Sequence, residues 1–574
     1  MCTNLLVRQA TMATRFVCAD WHQDSNFKRA EHTEDCKRPL SMSWVVVIDE
    51  HGDRRLRIKA VWNENIQNRW AVDFLASARP ARPLRAGGPP GDVRRCLAAR
   101  LKDHRPSQLP LHAGAQWRPE NQGVSALPSR CVSRRLTWAV ILACLLACLP
   151  LFGQAQPTTA VETSEKSPWS FHVQATAIPQ GHGDFRSPYA SSNSLSPEGE
   201  VAGSLTTTFY VGRKLWNGAE VYINPEILAG NGLSSTLGIA GFPNGEIYRV
   251  DNPSPKVSLS RFFIRQTWGL GGSRELVPSA QNQVPREVNA SRITLTMGKF
   301  SLVDMFDNNG YSHDARTRFM NWALMDNGAW DFAADTRGYT YGVALEVYRG
   351  RWGWRMAEVM VPASANGMQM DTRISQARAD NFEIERRHTL DGHPGVVRMM
   401  AFANHAHMGS YRETIDTPAF VMDITKSRAY RVKYGFGINL EQEITRDLGM
   451  FFRWGWNDGH TETWAFTEID RSGSGGVSLI GRRWRRPSDH FGLAFVANGL
   501  SKDHSEYLRL GGKGFIIGDG KLNYGKEVIL ESYYSVALRW GVSISPDFQS
   551  VMHPAYNRDR GPVAIYAVRF HWEK

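Results

Sequence analysis

Cysteine is absent from most of this chain. All seven cysteines precede residue 149, so residues 149–574 can form no disulfide bond of their own. Long apolar stretches are also scarce, and the mean hydropathy of −0.38 excludes a bundle of membrane-spanning helices. Aromatic residues make up 11% of the chain and glycine occurs 51 times. This composition favours an aromatic-rich β protein with many turns.

A strong excess of one charge is missing beyond residue 155. The whole chain has a net charge of +12, but residues 1–155 hold 23 of its 68 basic and 13 of its 56 acidic residues. The remaining residues carry 45 basic and 43 acidic side chains, a net charge of +2. The basic character therefore belongs to the N-terminal part and gives no reason to expect a nucleic-acid partner.

The boundary between the two parts has the pattern of a secretion signal. Arg134 and Arg135 precede an apolar run at 136–152, which is followed by the small-x-small sequence GQA at 153–155. This order predicts a signal peptide at 132–155 that is cleaved after Ala155. The alternative is an uncleaved anchor, although the run is near the lower limit of length for a spanning helix.

Residues 1–131 precede the predicted signal peptide, although a signal peptide normally stands at the start of an exported chain. No methionine occurs between Met42 and Met297, so we infer that translation begins at Val132 through an alternative start codon. Residues 1–131 would then be a non-native extension of the gene. The alternative is a genuine basic, disordered extension, because stretches such as 79–106 show no helical or strand periodicity. Sequencing the N-terminus of the purified protein would decide.

Residues 156–574 alternate apolar and polar side chains, as β-strands do. In 205–215, Phe209 and Val211 alternate with Thr208 and Tyr210, and an Asn-Gly turn follows at 217–218. Other strand candidates are 219–226, 292–300, 341–347, 434–444, 448–457, 491–497 and 527–540. Polar stretches at 362–394 and 465–486 are candidate extracellular loops, one of which could fold inward and narrow a pore.

Alternation alone fits both a soluble sandwich and a membrane barrel. The C-terminal strand favours the barrel, because Tyr566, Phe570 and Trp572 share one face and end near the chain terminus, as in the assembly signal of outer-membrane proteins. Between fourteen and eighteen strands can be counted. The sequence therefore predicts an all-β fold, a transmembrane antiparallel up-and-down β-barrel of about 16 strands in a bacterial outer membrane.

Several short sequences resemble the carbohydrate-selective porin family (OprB-like). They are NPE at 224–226, GFPNGE at 241–246, GKFS at 298–301, YSHD at 311–314, FMNWAL at 319–324, AADTRGY at 333–339, GDG at 518–520 and NRDRGPV at 557–563. The resemblance covers about residues 168–572. It implies a 16-stranded barrel for passive uptake of glucose-like sugars. It implies no cofactor, and the partners would be small neutral carbohydrates and the lipid bilayer, with a homotrimer or a monomer as the assembly.

A sugar-selective pore should combine aromatic surfaces with charged hydrogen-bonding groups. Residues 314–337 hold the densest such mixture, and two neighbouring strand segments add charges that share one face. The candidate pore-lining residues are Asp314, Arg316, Arg318, Asn321, Trp322, Asp335, Arg337, Arg261, Arg265 and Glu220, with Asp331 beside them. The alternative is that they form a salt-bridged cluster that only stabilises a loop.

Other functions have weaker support in the sequence. No GxSxG, HExxH or Walker motif occurs, and His405 with His407 forms a possible metal pair that lacks a third ligand. The segment NRDRGP at 557–562 predicts a tight turn. Outward tryptophans and tyrosines such as Trp268, Trp454, Trp456, Trp540, Tyr566 and Trp572 are expected in the interfacial girdle. A polysaccharide export conduit and an outer-membrane enzyme are the alternative functions.

Overall fold

The computed structural model describes residues 46–51, 55–61, 71–77, 167–247 and 254–574. The predicted signal peptide at 132–155 and the stretch 79–106 lie outside these residues. Three short strands near the N-terminus form a small antiparallel sheet within a separate unit, Met1–Val132. They are β1 (Val46–His51), β2 (Arg55–Val61) and β3 (Ala71–Ser77). That translation begins at Val132, so that residues 1–131 are not part of the native protein, stays a prediction.

The second unit is a closed antiparallel barrel of sixteen strands, as the sequence predicts. Each strand pairs with the next along the chain, and the last pairs with the first, with Tyr566 opposite Gly181. The strands are β4 (Trp169–His182), β5 (Glu200–Trp216), β6 (Ala219–Asn231), β7 (Lys256–Val277), β8 (Arg286–Phe300), β9 (Thr340–Arg349), β10 (Trp352–Val359), β11 (Arg378–Leu390), β12 (His393–Met408), β13 (Ala429–Thr445), β14 (Leu448–Asn457), β15 (Arg471–Gly481), β16 (Arg486–Gly499), β17 (Glu527–Ala537), β18 (Val542–Met552) and β19 (Val563–Glu573).

The two faces of the barrel wall have the polarity of a membrane protein. On β17, Leu530 is 43% exposed, whereas the next residue, Glu531, is completely buried. On β19, Tyr566 and Phe570 are exposed, and Arg569 between them is 1% exposed. Apolar side chains thus face outward and charged side chains face inward. This is the reverse of a soluble sandwich and decides the choice that alternation left open.

The strand connections differ in length at the two ends of the barrel. The start of β4 and the end of β19 lie at the same end of the barrel as seven short turns. One of these is the predicted Asn217-Gly218 hairpin turn, where Gly218 has a φ of +77°. Eight longer connections occupy the other end. In barrels of this kind the short turns face the periplasm and the long loops face the outside. Three short helices lie in the long connections: α1 (Trp322–Met325), α2 (Tyr411–Asp416) and α3 (Lys502–Arg509).

Two predicted loops are wrong, because each contains a strand. Residues 362–394 include β11, and residues 465–486 include β15. Both strands are polar enough to resemble loops, since β11 carries charges on its lumen face and β15 is rich in glycine and serine. Gly476 shows why glycine suits β15: a Cβ there would lie 2.7 Å from the ring of Phe451 on the neighbouring strand.

The predicted turn at 557–562 is confirmed. The Arg560 N–H donates to the Asn557 carbonyl at 3.1 Å, and Gly561 has a φ of +79°. The Arg560 side chain is buried and donates to the Asp519 carboxylate at 3.1 Å and to the Tyr189 carbonyl at 2.9 Å. This turn therefore ties three of the long connections together.

No helix among the described residues is long and apolar enough to cross a membrane. The two histidines considered as a metal pair lie on the outward side of β12. His405 contacts Asp380 at 3.3 Å, and His407 packs against the ring of Tyr430. Within the ranges that the structure describes, no group of three or more His, Cys, Asp or Glu side chains is arranged to hold a metal ion.

Candidate functional site

Residues 301–339, which join β8 to β9, fold into the barrel, and we call them the inner segment. Inward-facing carboxylates of distant strands accept hydrogen bonds from its backbone. Glu383 of β11 accepts from the Asp307 N–H at 2.7 Å, and Glu531 of β17 accepts from the Met320 N–H at 2.6 Å. These contacts come from strands far apart around the wall, so the inner segment crosses the lumen.

Arg316 anchors the inner segment to the opposite side of the wall. Its guanidinium donates to the Glu226 and Glu246 carboxylates, both at 2.9 Å, and to the Thr208 hydroxyl at 3.1 Å. Burial alone would lower the pKa of Arg316, but the carboxylates, Glu246 above all, raise that pKa well above its ordinary value. Arg316 is therefore a permanent cation inside a cluster of acceptors.

Asp307 makes a second anchor. Its carboxylate lies 3.0 Å from Nε of Arg453 and accepts from the side-chain amide of Asn439 at 2.7 Å. Burial raises the pKa of Asp307, although Arg453 and the hydrogen bonds of Asn439 oppose that rise. Two charged contacts therefore fix the inner segment from two sides, which is the arrangement expected of a built-in constriction rather than of a loose loop.

An aromatic core forms where the inner segment meets other long connections. The Trp322 ring stacks on Phe242, Phe332 and Phe466 at centroid distances of 5.2, 5.6 and 5.6 Å. Asp331 fastens the same region, because its carboxylate accepts from the Trp464 N–H at 2.8 Å. Burial raises the pKa of Asp331 despite nearby Lys433 and three backbone N–H groups. The apolar interior here is made by the connections and not by the barrel wall.

A row of opposite charges lies on the lumen wall beside the inner segment. Arg355 of β10 contacts Glu383 at 2.6 Å, Glu385 at 2.8 Å and Glu346 at 3.5 Å. Arg398 of β12 continues the row. We call the set the charge ladder, and it consists of Glu346, Arg355, Glu383, Glu385, Arg398 and Glu441 on β9–β13.

The charge ladder and the inner segment touch each other. Arg398 bridges Glu385 and Glu441 at 3.1 Å each, and Glu441 also accepts from the Gly310 N–H at 2.5 Å. Glu383 makes the second contact, through the Asp307 N–H. The narrowed part of the lumen is therefore bounded on one side by alternating arginine and glutamate side chains.

The barrel part of the chain matches a known protein family. The profile of a family described as "Carbohydrate-selective porin, OprB family" matches residues 192–573. The chain belongs to this family. As an OprB-family barrel it is an outer-membrane porin and not an enzyme, and the fold predicted from the sequence is confirmed.

Individual relatives of this OprB-family chain are distant. A structure of Pseudomonas putida OprB has a TM-score of 0.55 at 14% identity and covers 71% of this chain and 94% of that one, which shows the shared fold. Porin AaxA of Chlamydia abortus is 22% identical over 282 residues, 48% of this chain and 53% of the relative. Porin AaxA of Chlamydia caviae is 21% identical over 278 residues. The chain spans about half the length of these curated relatives.

The sequence-predicted site residues of the inner segment have different degrees of burial. Arg316, Asn321, Trp322 and Asp335 are buried, together with Asp331. Asp314, Arg318 and Arg337 are partly exposed. Asn321 caps α1 by accepting from the Ala323 N–H at 3.0 Å, and it also donates to the Gly241 carbonyl.

The partly exposed members are held by hydrogen bonds, some within the inner segment and some to the wall. Asp314 has a φ of +92° and accepts from the Arg316 N–H at 3.0 Å. Burial would raise the pKa of Asp314, but the Arg316 guanidinium holds that pKa below its usual value. Arg337 donates to the Ser258 hydroxyl at 3.0 Å, and the Arg318 carbonyl accepts from Arg569 at 2.7 Å.

The three predicted residues on the wall do face the lumen. Arg261 forms a two-bond pair with Asp304 at 2.5 and 2.7 Å. Arg265 and Glu220 are cross-strand partners, and Glu220 lies at the periplasmic end of β6. The structure thus places Glu220 and Arg265 at one end of the lumen and the inner segment at its middle, so the ten candidates do not form a single ring.

The charge ladder was not among the residues predicted from the sequence. The signal was present, because Arg355 lies between the outward residues Trp354 and Met356, in the two-residue period of a strand. Glu383 and Glu385 were missed because their strand was interpreted as a loop. A charged side chain on a barrel strand faces the lumen by default, since it costs ~2–4 kcal/mol for Arg or Lys to face lipid at mid-bilayer.

Proposed function

We propose that this OprB-family porin is a passive channel through which small neutral sugars diffuse across the outer membrane into the periplasm. The observation that carries the proposal is the contact between the inner segment and the charge ladder. It supports a narrow passage whose wall offers both donors and acceptors. No cofactor or energy coupling is part of the proposal.

The chemistry of the charge ladder suits a polyol. A sugar hydroxyl both donates and accepts, so a wall on which arginine and glutamate alternate can bind either side of it. Hydrogen bonds to charged partners contribute about 1.5–3 kcal/mol each. Glu346 and Glu441 are the partly exposed members of the row, so a sugar would contact these carboxylates, while the nearly buried Arg355 and Arg398 hold them in place. Contacts with two such separate groups would keep binding weak enough for passage.

The predicted site residues divide into two proposed roles. We propose that the partly exposed ones line the passage: Asp314, Arg318, Arg337 and Arg265. The buried ones would set its width by fixing the inner segment and the wall: Arg316, Asn321, Trp322, Asp335, Arg261 and Glu220. Each barrel would be a complete channel, whether the protein is a monomer or a homotrimer.

Planar-bilayer recording tests the proposal. The protein, expressed from the full gene and purified from outer membranes, is titrated with glucose, maltose and a charged uronate oligomer. We expect channel conductance that falls saturably with the neutral sugars. Block by the uronate alone would instead support a conduit for acidic polysaccharides. Conductance that none of the three compounds changes would contradict sugar binding in the lumen.

The Arg355→Met variant tests whether sugar binds at the charge ladder. Its matched control is Arg378→Met, because Arg378 pairs with Asp380 on the outer side of the neighbouring strand. Glucose should block the Arg355→Met channel less than the parent and block the control as the parent. Equal block in all three proteins would remove the charge ladder from the proposal.

A further inference from the structure

The hairpin of β7 and β8 is longer than its neighbours and bends at its periplasmic end. β7 has 22 residues, whereas β9 and β10 have 10 and 8. Residues 269–276 are exposed, so this part of β7 has left the barrel wall. Strand pairing shifts between Gly269 and Gly271, and again between Gly271 and Arg274, while Gly271 and Gly272 have φ values of +95° and +89°. These glycines make a bend that other residues adopt only with strain.

The end of this hairpin returns to the mouth of the barrel. We call residues 270–291 the strap. The Ser279 hydroxyl lies 2.9 Å from the Ser170 hydroxyl and 2.9 Å from Nε2 of His172. The Gln281 side chain donates to that of Gln174 at 2.9 Å. All three β4 residues occupy alternate positions on the lumen side of the strand.

The other side of the strap is held by β5 and β6. The Val284 N–H donates to the Tyr222 hydroxyl at 3.1 Å, and Val284 is completely buried. Gly212 makes room for it, since a Cβ there would lie 2.9 Å from the Val284 side chain. Arg286 pairs with Glu220 at 2.9 Å. The tip thus lies within the barrel opening.

The strap covers a continuous part of that opening. Besides β4, β5 and β6, it contacts β19 through Gln281 and Glu573 at 3.3 Å, and β7 through Asn282 and Arg265 at 3.1 Å. These five strands are consecutive around the barrel. We propose that the strap is a hinged periplasmic gate, which narrows the exit when its tip is docked and widens it when the glycine bend swings the tip away.

The contacts of the strap suit a reversible latch. They comprise a few hydrogen bonds, two of which involve the charged side chains of Glu573 and Arg265, one ion pair, and the buried side chain of Val284. The inner segment, by contrast, is held by several buried carboxylates and by Arg316 and Arg453. Motion at a hinge of a few residues is a common way to gate access to a site. The gate rests on the proposed channel function, but it concerns ion flow as well as sugar.

A disulfide tests the gate directly. Ser170→Cys with Ser279→Cys should lock the docked tip, because their hydroxyl oxygens are 2.9 Å apart and residues 149–574 contain no other cysteine. A matched control is Thr414→Cys with Ser427→Cys, 2.8 Å apart within one long connection at the other end. Peptide mass spectrometry of the full-gene product verifies each bond before recording.

We expect the locked channel to lose the higher conductance level of the parent and to regain it with dithiothreitol, while the control pair behaves as the parent. A second variant replaces residues 270–291 by Asn-Gly, joining the paired residues Gly269 and Arg292. It should stay at the higher level. Unchanged conductance in the locked channel, or in the shortened channel, would overturn the gate. Failure of the sugar proposal would be seen separately, because glucose would then block neither the parent nor any of these variants, whatever their conductance levels.

Discussion

Arg316 and Glu226 lie 2.9 Å apart inside the barrel, and their ion pair joins the inner segment to a wall strand ninety residues earlier in the chain. Both side chains are almost completely buried. Breaking a buried pair leaves an uncompensated charge, which costs much more than losing a surface pair. The width of the lumen therefore depends on a contact that no single segment of the chain contains.

Replacing Arg316 by alanine should destabilise the barrel and widen the channel. The change leaves Glu226 and Glu246 buried without their cation, at a cost of roughly 3–5 kcal/mol. Urea titration in lipid vesicles measures the free energy of unfolding. The control is Arg274→Ala, since Arg274 and Glu287 form an exposed pair worth about 0–1 kcal/mol. Equal losses in the two variants would contradict the anchoring role of Arg316.

The inner segment should be held less firmly above neutral pH. Nδ1 of His313 lies 2.9 Å from Asp326, and although burial alone would lower the pKa of His313, Asp326 raises it to about 9. A raised pKa stabilises the folded protein fully below the ordinary histidine value, and this stabilisation is lost as the pH rises through about 9. We expect the difference in thermal midpoint between the parent and His313→Gln to shrink from pH 6 to pH 9.5. A difference that stays constant would contradict the charged pair.

Arg355 should control ion preference as well as sugar binding. Its removal in Arg355→Met leaves Glu346, Glu383 and Glu385 without their shared cation. The reversal potential in a KCl gradient should shift toward cation selectivity. Glucose should bind roughly tenfold more weakly, as expected if Glu346 loses the cation that holds it in place and one charged hydrogen bond to the sugar is lost with it. Arg378→Met, outside the lumen, should change neither quantity.

Trp322 offers a test between a structural and a binding role. It is 4% exposed and stacked on three aromatic rings, so Trp322→Ala should cost about 3–5 kcal/mol of unfolding free energy. Trp322→Phe should recover most of that loss and leave the apparent glucose affinity unchanged. If Trp322→Phe instead weakens glucose binding while stability is retained, Trp322 contacts sugar directly.

Several parts of this structure could be predicted from local sequence because local physics determines them. The two-residue period on β17 and β19, the Asn217-Gly218 turn and the turn at Arg560 each depend on residues next to one another. Strand direction and hairpin order then follow, whereas the residues alone place the number of strands only between fourteen and eighteen. The chain's resemblance to its family was also readable, since short stretches of sequence carry it.

Strands without strong alternation could not be recognised in this way. The stretch containing β11 has charges on its lumen face and an acidic residue, Asp380, among its outward ones. In β15, glycine replaces side chains that would otherwise show a period. These strands form because each pairs by backbone hydrogen bonds with a neighbouring strand on either side. Those neighbours are in place only when the barrel is closed.

By itself, the sequence predicted an antiparallel barrel with charges on one face of its strands, and the structure shows that barrel in the strands from Trp169 to Glu573. Only the tertiary structure decided which face is inward, which connection enters the lumen and which charges meet there. The physical reason is distance along the chain. The contacts of Arg316 with Glu226, of Asp307 with Arg453 and of Ser279 with Ser170 each join residues ninety or more positions apart. Such contacts form because the closed barrel wall brings their strands together.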